Sequence, residues 1–304
     1  MMHPYARAAY AAALASAERG RIVAVPEWPG HAVLRPIGGT GLVDAAGPYP
    51  RTPLGARCDL AIGLDRLRGS GAVSAVIVPD PLSAPPEAAL AAAFEHCRPF
   101  KTHFVADRNA AGAWPSKHHR AKIRKAKGAV QVARVDLART LDDWSRLYAG
   151  LAERHAISGA ADFAPAYVQT MADDPSYEAF AARQDGRIVA MAIWFAHDGV
   201  AVYHLGASDE AGYAVGASYA LFDAAFEHFD FAERFDLGGA AGLDPGPGDG
   251  LARFKQGFAN TTATAYVCGA VLDPAAYERL SAGQRAGGFF PAYRAPTVRE
   301  RAAA

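Results

Sequence analysis

The segment YEAFAARQDGRIVAMAIWFAHDGVAVYHL (Tyr177–Leu205) contains three apolar runs separated by Asp-Gly pairs at 185–186 and 198–199. Asp-Gly between apolar runs is a strong hairpin signal, because the tight turn needs positive φ and glycine adopts it at little cost. The middle run, Ile188–Phe195, is apolar at every position. A strand of this kind has a layer packed on each face of its sheet. The segment therefore predicts a three-stranded antiparallel meander inside an α/β domain.

The residues after Leu205 predict a loop followed by helix, strand, helix and strand. Gly206–Ser218 is rich in small residues and predicts the loop. In the next segment Phe222, Phe226 and Phe229 fall on one helical face, a spacing typical of core packing. The later elements are predicted over RFDL (234–237), DGLARFKQGF (249–258) and TATAYVC (262–268).

Composition limits the class of protein. The chain has 304 residues, 51% hydrophobic and 20% charged, which excludes long disorder. Lys plus Arg equals Asp plus Glu at 31 each, which argues against nucleic-acid binding through the whole surface. The three cysteines and the ten histidines show no zinc spacing, so thiols and no metal are predicted. No run of ~18 apolar residues predicts a membrane span, and the N-terminal alanine-rich stretch predicts a surface helix, so a soluble cytoplasmic protein is expected.

The first half of the chain repeats the order of the second. Ser74–Asp107 predicts strand, loop, helix and strand, and its Ala92–His96 has the same five letters as Ala224–His228. We interpret this as an old duplication. It predicts two similar α/β domains that meet within 117–130.

Four segments resemble one family. They are SKHHRAKIRKAKG (Ser116–Gly128), YHLGASDE (Tyr203–Glu210), DLGG followed by GLARFKQGF (236–258) and FFPAYR (Phe289–Arg294). In their order and spacing they resemble the FemAB-like branch of the GNAT acyltransferase superfamily, which carries two GNAT domains in tandem. The resemblance implies an α/β fold with a mixed sheet. It divides the chain into a degenerate GNAT-like domain (1–116), a basic segment (117–130) and a C-terminal acyltransferase domain (131–304).

The resemblance also implies an N-acyltransferase. An acyl-CoA, above all acetyl-CoA, would donate the group to an amine by direct attack, with no permanently bound cofactor. Direct attack agrees with the absence of a Gly-x-Ser-x-Gly elbow and of a catalytic cysteine motif in the sequence. One alternative is an aminoacyl-tRNA-dependent peptidyltransferase of FemAB type, acting on a cell-wall or peptide amine. A second is a non-catalytic binding protein that keeps the fold.

Four residues are candidates for catalysis, each with a structural alternative. Lys255, between two phenylalanines, is predicted to contact the developing oxyanion, or else to be a solvated helix lysine. Asp236 at the end of a strand would accept the amine proton, or cap a turn. His204 would act as a base, or be a hydrogen-bonded structural residue. Tyr203 would protonate a leaving thiolate, or pack in the core.

Binding residues are predicted on two segments. The donor loop lacks the leading Gln or Arg of the usual pyrophosphate motif, but its small residues let backbone approach a phosphate; the predicted donor contacts are Leu205, Gly206, Ala207, Gly212, Gly216 and Ala217. Residues 117–127 hold six Lys or Arg and no acid, which predicts a basic helix face for an anionic acceptor or for tRNA. The predicted substrate contacts are Lys117, Arg120, Arg124, Gly238, Gly239 and Phe254.

Overall fold

The computed structural model describes residues 2–155, 165–240, 249–284 and 288–295. They form a mixed α/β fold, as predicted. The helices are α1 Ala8–Ala17, α2 Leu60–Gly69, α3 Glu87–Ala93, α4 Lys117–Lys127, α5 Leu141–Arg154, α6 Pro165–Ala172, α7 Glu210–Val215, α8 Ala217–His228, α9 Gly250–Gln256 and α10 Pro274–Ser281. The strands are β1 Arg21–Val25, β2 Gly30–Pro36, β3 Val43–Ala46, β4 Ala72–Ile77, β5 His96–Asp107, β6 Gln131–Val135, β7 Tyr177–Gln184, β8 Arg187–His197, β9 Val200–Ser208, β10 Arg234–Asp236 and β11 Thr261–Val271.

The chain divides into two compact units. One, the central unit, comprises residues 101–264, and the other comprises 2–100 with the residues after 264. The limits of the units fall within β5 and β11. The basic segment 117–130 lies inside the central unit, so the predicted boundaries at 116 and 130 do not coincide with these limits. The tandem duplication stays a prediction.

The sheet of the central unit has the strand order β5-β10-β9-β8-β7-β6. Strands β7, β8 and β9 form the predicted antiparallel meander. Its turns have φ of 50° and 81° at Asp185 and Gly186, and 45° and 74° at Asp198 and Gly199. Both central residues thus have the positive φ that a type I′ hairpin turn requires. Every residue of β8 from Ile188 to Phe195 is buried, as its apolar run predicts.

Helix α8 packs on this sheet through its aromatic stripe, as predicted. The rings of Phe222, Phe226 and Phe229 lie with centroids 5.1, 6.1 and 6.3 Å from that of Trp194 on β8. All four side chains are buried. Aromatic contacts at these distances add to the free energy gained by burial.

The predicted loop over Gly206–Ser218 is wrong in part, because it contains α7. The Asp209 carboxylate caps this helix by accepting a hydrogen bond from the Gly212 N–H at 3.0 Å. Gly216, at φ 69°, ends α7 and begins α8. The cap and the left-handed glycine allow a one-and-a-half-turn helix that composition alone does not indicate.

The second unit has the strand order β1-β2-β3-β4-β11, with β3 and β4 parallel and the other pairs antiparallel. Its β4, α3 and start of β5 follow the predicted order of strand, helix and strand. The C-terminal FFPAYR segment is attached to it through Asp44, which is fully buried. Asp44 accepts hydrogen bonds from Arg35 at 2.9 Å and from Arg294 at 2.5 Å. A buried carboxylate needs such cationic donors.

Candidate functional site

Lys255 is buried at the last turn of α9. The helix begins at the Asp249 cap, whose carboxylate accepts the N–H groups of residues 251 and 252. The Lys255 side chain is 6% exposed, and its Nζ donates to the Gly239 carbonyl at 2.6 Å. Nζ also lies 5.6 Å from the centroid of the Tyr203 ring, within the range of a cation–π contact. Lys255 is therefore not a solvated helix lysine.

Asp236 forms a hydrogen-bonded pair with His103. Asp236 is fully buried at the end of β10, and His103 Nδ1 lies 3.0 and 3.1 Å from its two carboxylate oxygens. The antiparallel pairing of β5 with β10 sets Val105 opposite Asp236. His103, two residues away, is on the same face of the sheet and is the diagonal neighbour of Asp236. His103 is far from Asp236 in the sequence, so no local motif indicates that it belongs to this site.

Gly238 and Gly239 connect this pair to Lys255. The Gly238 N–H donates to Asp236 at 2.8 Å, and a β-carbon at Gly238, whose φ is 74°, would lie 3.3 Å from Lys255 Nζ. A β-carbon at Gly239 would lie 3.3 Å from Cδ of Lys101. Burial lowers the pKa of Lys101, the second ammonium beside this backbone. The structure thus brings together four of the predicted residues: Lys255, Asp236, Gly238 and Gly239.

Tyr203 belongs to the aromatic wall beneath Lys255. Its ring packs against Trp194 and Phe222, with centroids 5.2 and 4.8 Å apart. Burial raises the pKa of Tyr203 well above its ordinary value, so the hydroxyl keeps its proton. Phe254 extends the wall, 4.8 Å from Phe222 between ring centroids.

His204 lies on the opposite face of β9. Trp194 pairs with Tyr203 and Ile193 with Leu205, so His204 is the extra residue of a β-bulge. Its Nε2 is 2.8 Å from the hydroxyl of Tyr167 on α6. Lys255 contacts the Tyr203 ring, whereas His204 contacts Tyr167 on the opposite face of β9. The structure therefore does not bring His204 together with Lys255.

The predicted donor loop runs from the end of β9 through α7 to the start of α8. It holds Leu205, Gly206 and Ala207 on β9, and Gly212, Gly216 and Ala217 beyond it. A β-carbon at Gly206 would lie 2.3 Å from the Tyr203 hydroxyl, and one at Gly212 would lie 2.4 Å from the Val189 carbonyl oxygen. Only glycine fits at these two positions without displacing a neighbour.

Arg154 supplies a cation at this loop that the local sequence lacks. It is the last residue of α5, and its Nη2 donates to the Ser208 carbonyl at 3.3 Å. Its guanidinium lies 4.6 Å from the centroid of the Tyr213 ring. Arg154 is about 50 residues before β9 ends, so no local motif could identify it.

Basic helix α4 is anchored to α9 through its buried face. His119, Ile123 and Ala126 are buried, and Ser116 caps the helix. His119 Nε2 is 2.9 Å from the Phe254 carbonyl oxygen. A β-carbon at Gly257 would lie 1.9 Å from the His119 ring, so the ring occupies the space that glycine leaves. Helix α4 therefore helps to position the helix that carries Lys255.

The opposite face of α4 is exposed and includes Lys117, Arg120 and Arg124. A groove of about 520 Å³ runs beside it, lined by Pro115, Arg120, Ile123, Arg124, Lys127 and Asp223. Lys127 donates to Asp223 at 2.7 Å, which raises the pKa of Lys127. The groove combines a small apolar floor with a basic rim, which favours an anionic ligand.

Across residues 2–155, 165–240, 249–284 and 288–295, no three His, Cys, Asp or Glu side chains are grouped so that they could bind a metal ion. None of the helices in these ranges is long and apolar enough to cross a membrane.

Comparison with known proteins identifies a domain and a shared fold. Residues 116–256 match the model of the acetyltransferase (GNAT) domain, and no curated protein matches the chain. Among solved structures it is similar to FemX, with a TM-score of 0.60 and 13% identity over 82% of this chain and 86% of that chain. It is also similar to the C-terminal domain of a protein described as a lysylphosphatidylglycerol synthetase from Agrobacterium fabrum. The TM-score is 0.58, with 18% identity over 88% of each chain. The L-PGS from Bacillus licheniformis is similar with a TM-score of 0.57 and 13% identity over 85% of each chain. The chain therefore contains a GNAT acetyltransferase domain at residues 116–256, and its fold is similar to those of FemX and the two synthetases.

Proposed function

We propose that this acyltransferase moves an acyl group from an acyl-CoA, with acetyl-CoA as the expected donor, to an amine by direct attack. The observation that carries the proposal is the buried ammonium of Lys255, held by the Gly239 carbonyl above the Tyr203 ring. A fixed cation in a water-poor site stabilises a developing oxyanion far better than one in water.

The site has the parts that direct acyl transfer needs. Lys255 donates to the Gly239 carbonyl, and the lack of side chains at Gly238 and Gly239 allows the Lys255 and Lys101 side chains to approach this backbone closely. Removal of one oxyanion donor in other enzymes costs about 10²–10³ in kcat. We therefore assign Lys255 to the carbonyl oxygen of the acyl group. Tyr203 would supply the apolar surface beneath the ammonium, since burial keeps its hydroxyl protonated.

Acyl-CoA as donor is supported by the loop from β9 to α8. Gly216 begins α8 with no side-chain cap, and the N–H groups at the start of a helix attract an anion such as a phosphate. Arg154 places a guanidinium at the same loop, at the Ser208 carbonyl. A guanidinium suits the pyrophosphate of CoA, so Arg154 would take the place of the missing Gln or Arg.

The exposed face of α4 supports an anionic amine acceptor. It also supports the alternative donor, because FemX and L-PGS share the fold and a basic helix attracts the phosphates of tRNA. Lys117, Arg120 and Arg124 would contact the acceptor in the first case and tRNA in the second.

Donor consumption distinguishes these functions. The pure protein is incubated with a panel of primary amines and either acetyl-CoA or aminoacylated tRNA, and free thiol, deacylated tRNA and product mass are measured. We expect amine-dependent thiol release that RNase does not affect. RNase-sensitive transfer from aminoacylated tRNA would replace acyl-CoA as donor. Consumption of neither donor, in a folded protein, would favour the non-catalytic binding protein.

A further inference from the structure

We propose that His103, held by Asp236, is the base that accepts the proton of the attacking amine. The inference rests on the proposed acyl transfer to an amine. It concerns a residue 133 positions from its partner, on a strand outside the matched domain model.

The hydrogen bonds of the pair select one tautomer. Asp236 is fully buried, and both of its carboxylate oxygens lie within 3.1 Å of His103 Nδ1. The Gly238 N–H donates to the same carboxylate and fixes its orientation. An ionised carboxylate only accepts hydrogen bonds, so Nδ1 carries the proton and Nε2 is the basic nitrogen. The His103 side chain is 12% exposed.

Charged groups of both signs lie near His103. Lys101 is on the same strand. Lys255 lies beside Gly238, and the Gly238 carbonyl accepts a hydrogen bond from the N–H of Phe104, the residue after His103. The Asp236 carboxylate, in direct contact, stabilises the imidazolium once it forms. The Asp249 carboxylate at the cap of α9 attracts the Lys101 ammonium and partly offsets the lowering of the Lys101 pKa by burial.

His103 accepts the proton of the amine during the reaction and passes it on to the leaving group. The amine nitrogen attacks the thioester carbon, a C–N bond forms, and the carbonyl electron pair moves to the oxygen beside Lys255. The proton of the resulting ammonium passes to His103 Nε2. The carbonyl re-forms as the C–S bond breaks, and the leaving thiolate takes the proton from the imidazolium. The products are an amide and free CoA, and His103 is neutral again.

This assignment changes the role predicted for Asp236. Its two oxygens accept from His103, and one also accepts from Gly238, so the carboxylate orients the imidazole. Asp236 is then a positioning residue and His103 the catalytic residue, since only His103 touches the amine.

Two variants and one additive test the assignment in the full-length chain. Thiol release from acetyl-CoA is followed with the best amine of the panel, from pH 5.5 to 9, in wild type, His103→Ala and Asp236→Asn. A general base contributes about 10²–10⁴-fold, so we expect His103→Ala to lower kcat by at least ~100-fold and to lose the acidic limb of the pH profile. Added imidazole should restore turnover in His103→Ala only. His228→Gln is the matched control, because His228 also pairs with a carboxylate, Glu178 at 2.7 Å, but on α8 away from the site.

The tautomer is measured independently of activity. Nitrogen-15 NMR of the histidine rings at pH 8 should show Nδ1 of His103 protonated and Nε2 unprotonated, and Asp236→Asn should abolish this preference. If no amine in the panel is acylated, the proposed function fails, and the tautomer alone decides the dyad. Protonated Nε2 in wild type, turnover of His103→Ala within about 3-fold of wild type, or a loss that imidazole does not restore in the folded variant overturns the inference.

Discussion

Gly206→Ala tests the packing that holds Tyr203 beneath Lys255. The new β-carbon would lie 2.3 Å from the Tyr203 hydroxyl, 3.1 Å from Cζ and 3.2 Å from Cε2. Ordinary carbon contacts are about 3.5–4.0 Å, so the ring must move by about 1 Å. Trp194 and Phe222, with ring centroids 5.2 and 4.8 Å away, oppose that movement.

The cost follows from this overlap. Overpacking a core costs about 1–3 kcal/mol, and we expect about 2 kcal/mol here, because the ring is confined on two sides. At about 2–4 °C per kcal/mol for a chain of this size, Tm should fall by about 4–8 °C. Turnover should fall as well, because a displacement of about 1 Å in a positioning group can cost about 10²-fold.

Tyr203→Phe supplies the decisive comparison, because it removes the oxygen at 2.3 Å and leaves nearest contacts of 3.1 and 3.2 Å. In the double variant Gly206→Ala/Tyr203→Phe, the loss of unfolding free energy should be smaller than the sum of the losses in the two single variants. We expect a difference of at least about 1 kcal/mol in denaturant unfolding. Gly150→Ala is the matched control, since no atom lies within 4 Å of its β-carbon position and α5 should gain stability. If the loss in the double variant equals the sum of the single losses to within about 0.5 kcal/mol, this packing is refuted.

Three further predictions concern other contacts. Arg154→Ala should raise KM for acyl-CoA at least ~5-fold and leave KM for the amine unchanged, by steady-state kinetics; equal changes in both would contradict a donor-side role. Burial lowers the pKa of His119, so the unfolded chain binds more protons below the ordinary value of 6.5. Stability present above pH 6.5 should therefore be lost as pH falls below it, and His119→Gln should flatten this dependence in denaturant titrations at pH 7.5 and 5.5. Arg294→Ala removes one of two cations on buried Asp44 and should cost about 2–3 kcal/mol in urea unfolding; a cost below about 0.5 kcal/mol would show that the C-terminal segment is not attached there.

The elements of the fold that local chemistry specifies could be predicted. The Asp-Gly pairs require positive φ, so the meander followed from them, and the apolar run of Ile188–Phe195 indicated burial on both faces. The basic exposed face of α4 followed from six Lys or Arg and no acid within 117–127. Helix α7 was not predicted from the sequence, because its composition is typical of a loop. The cap at Asp209 and the left-handed conformation of Gly216 outweigh that composition.

The site was predictable only where one segment contains it. Lys255, Gly238 and Gly239 are close in sequence, and the motif found them. His103 reaches Asp236 through the pairing of β5 with β10, and Arg154 reaches the donor loop through the packing of α5. Contacts at such separations depend on tertiary structure, and no local pattern encodes them. His204 shows the converse, because a β-bulge turns a plausible base toward Tyr167.

Removal of the Lys255 ammonium tests the central claim most directly. Amine-dependent thiol release from acetyl-CoA is compared among wild type, Lys255→Met and Arg253→Met, an exposed cation on the same helix, with Tm measured for each. We expect at least ~10-fold lower kcat for Lys255→Met and near wild-type kcat for Arg253→Met, with all three proteins folded. Wild-type kcat in folded Lys255→Met would contradict the placement of this ammonium at the reacting carbonyl.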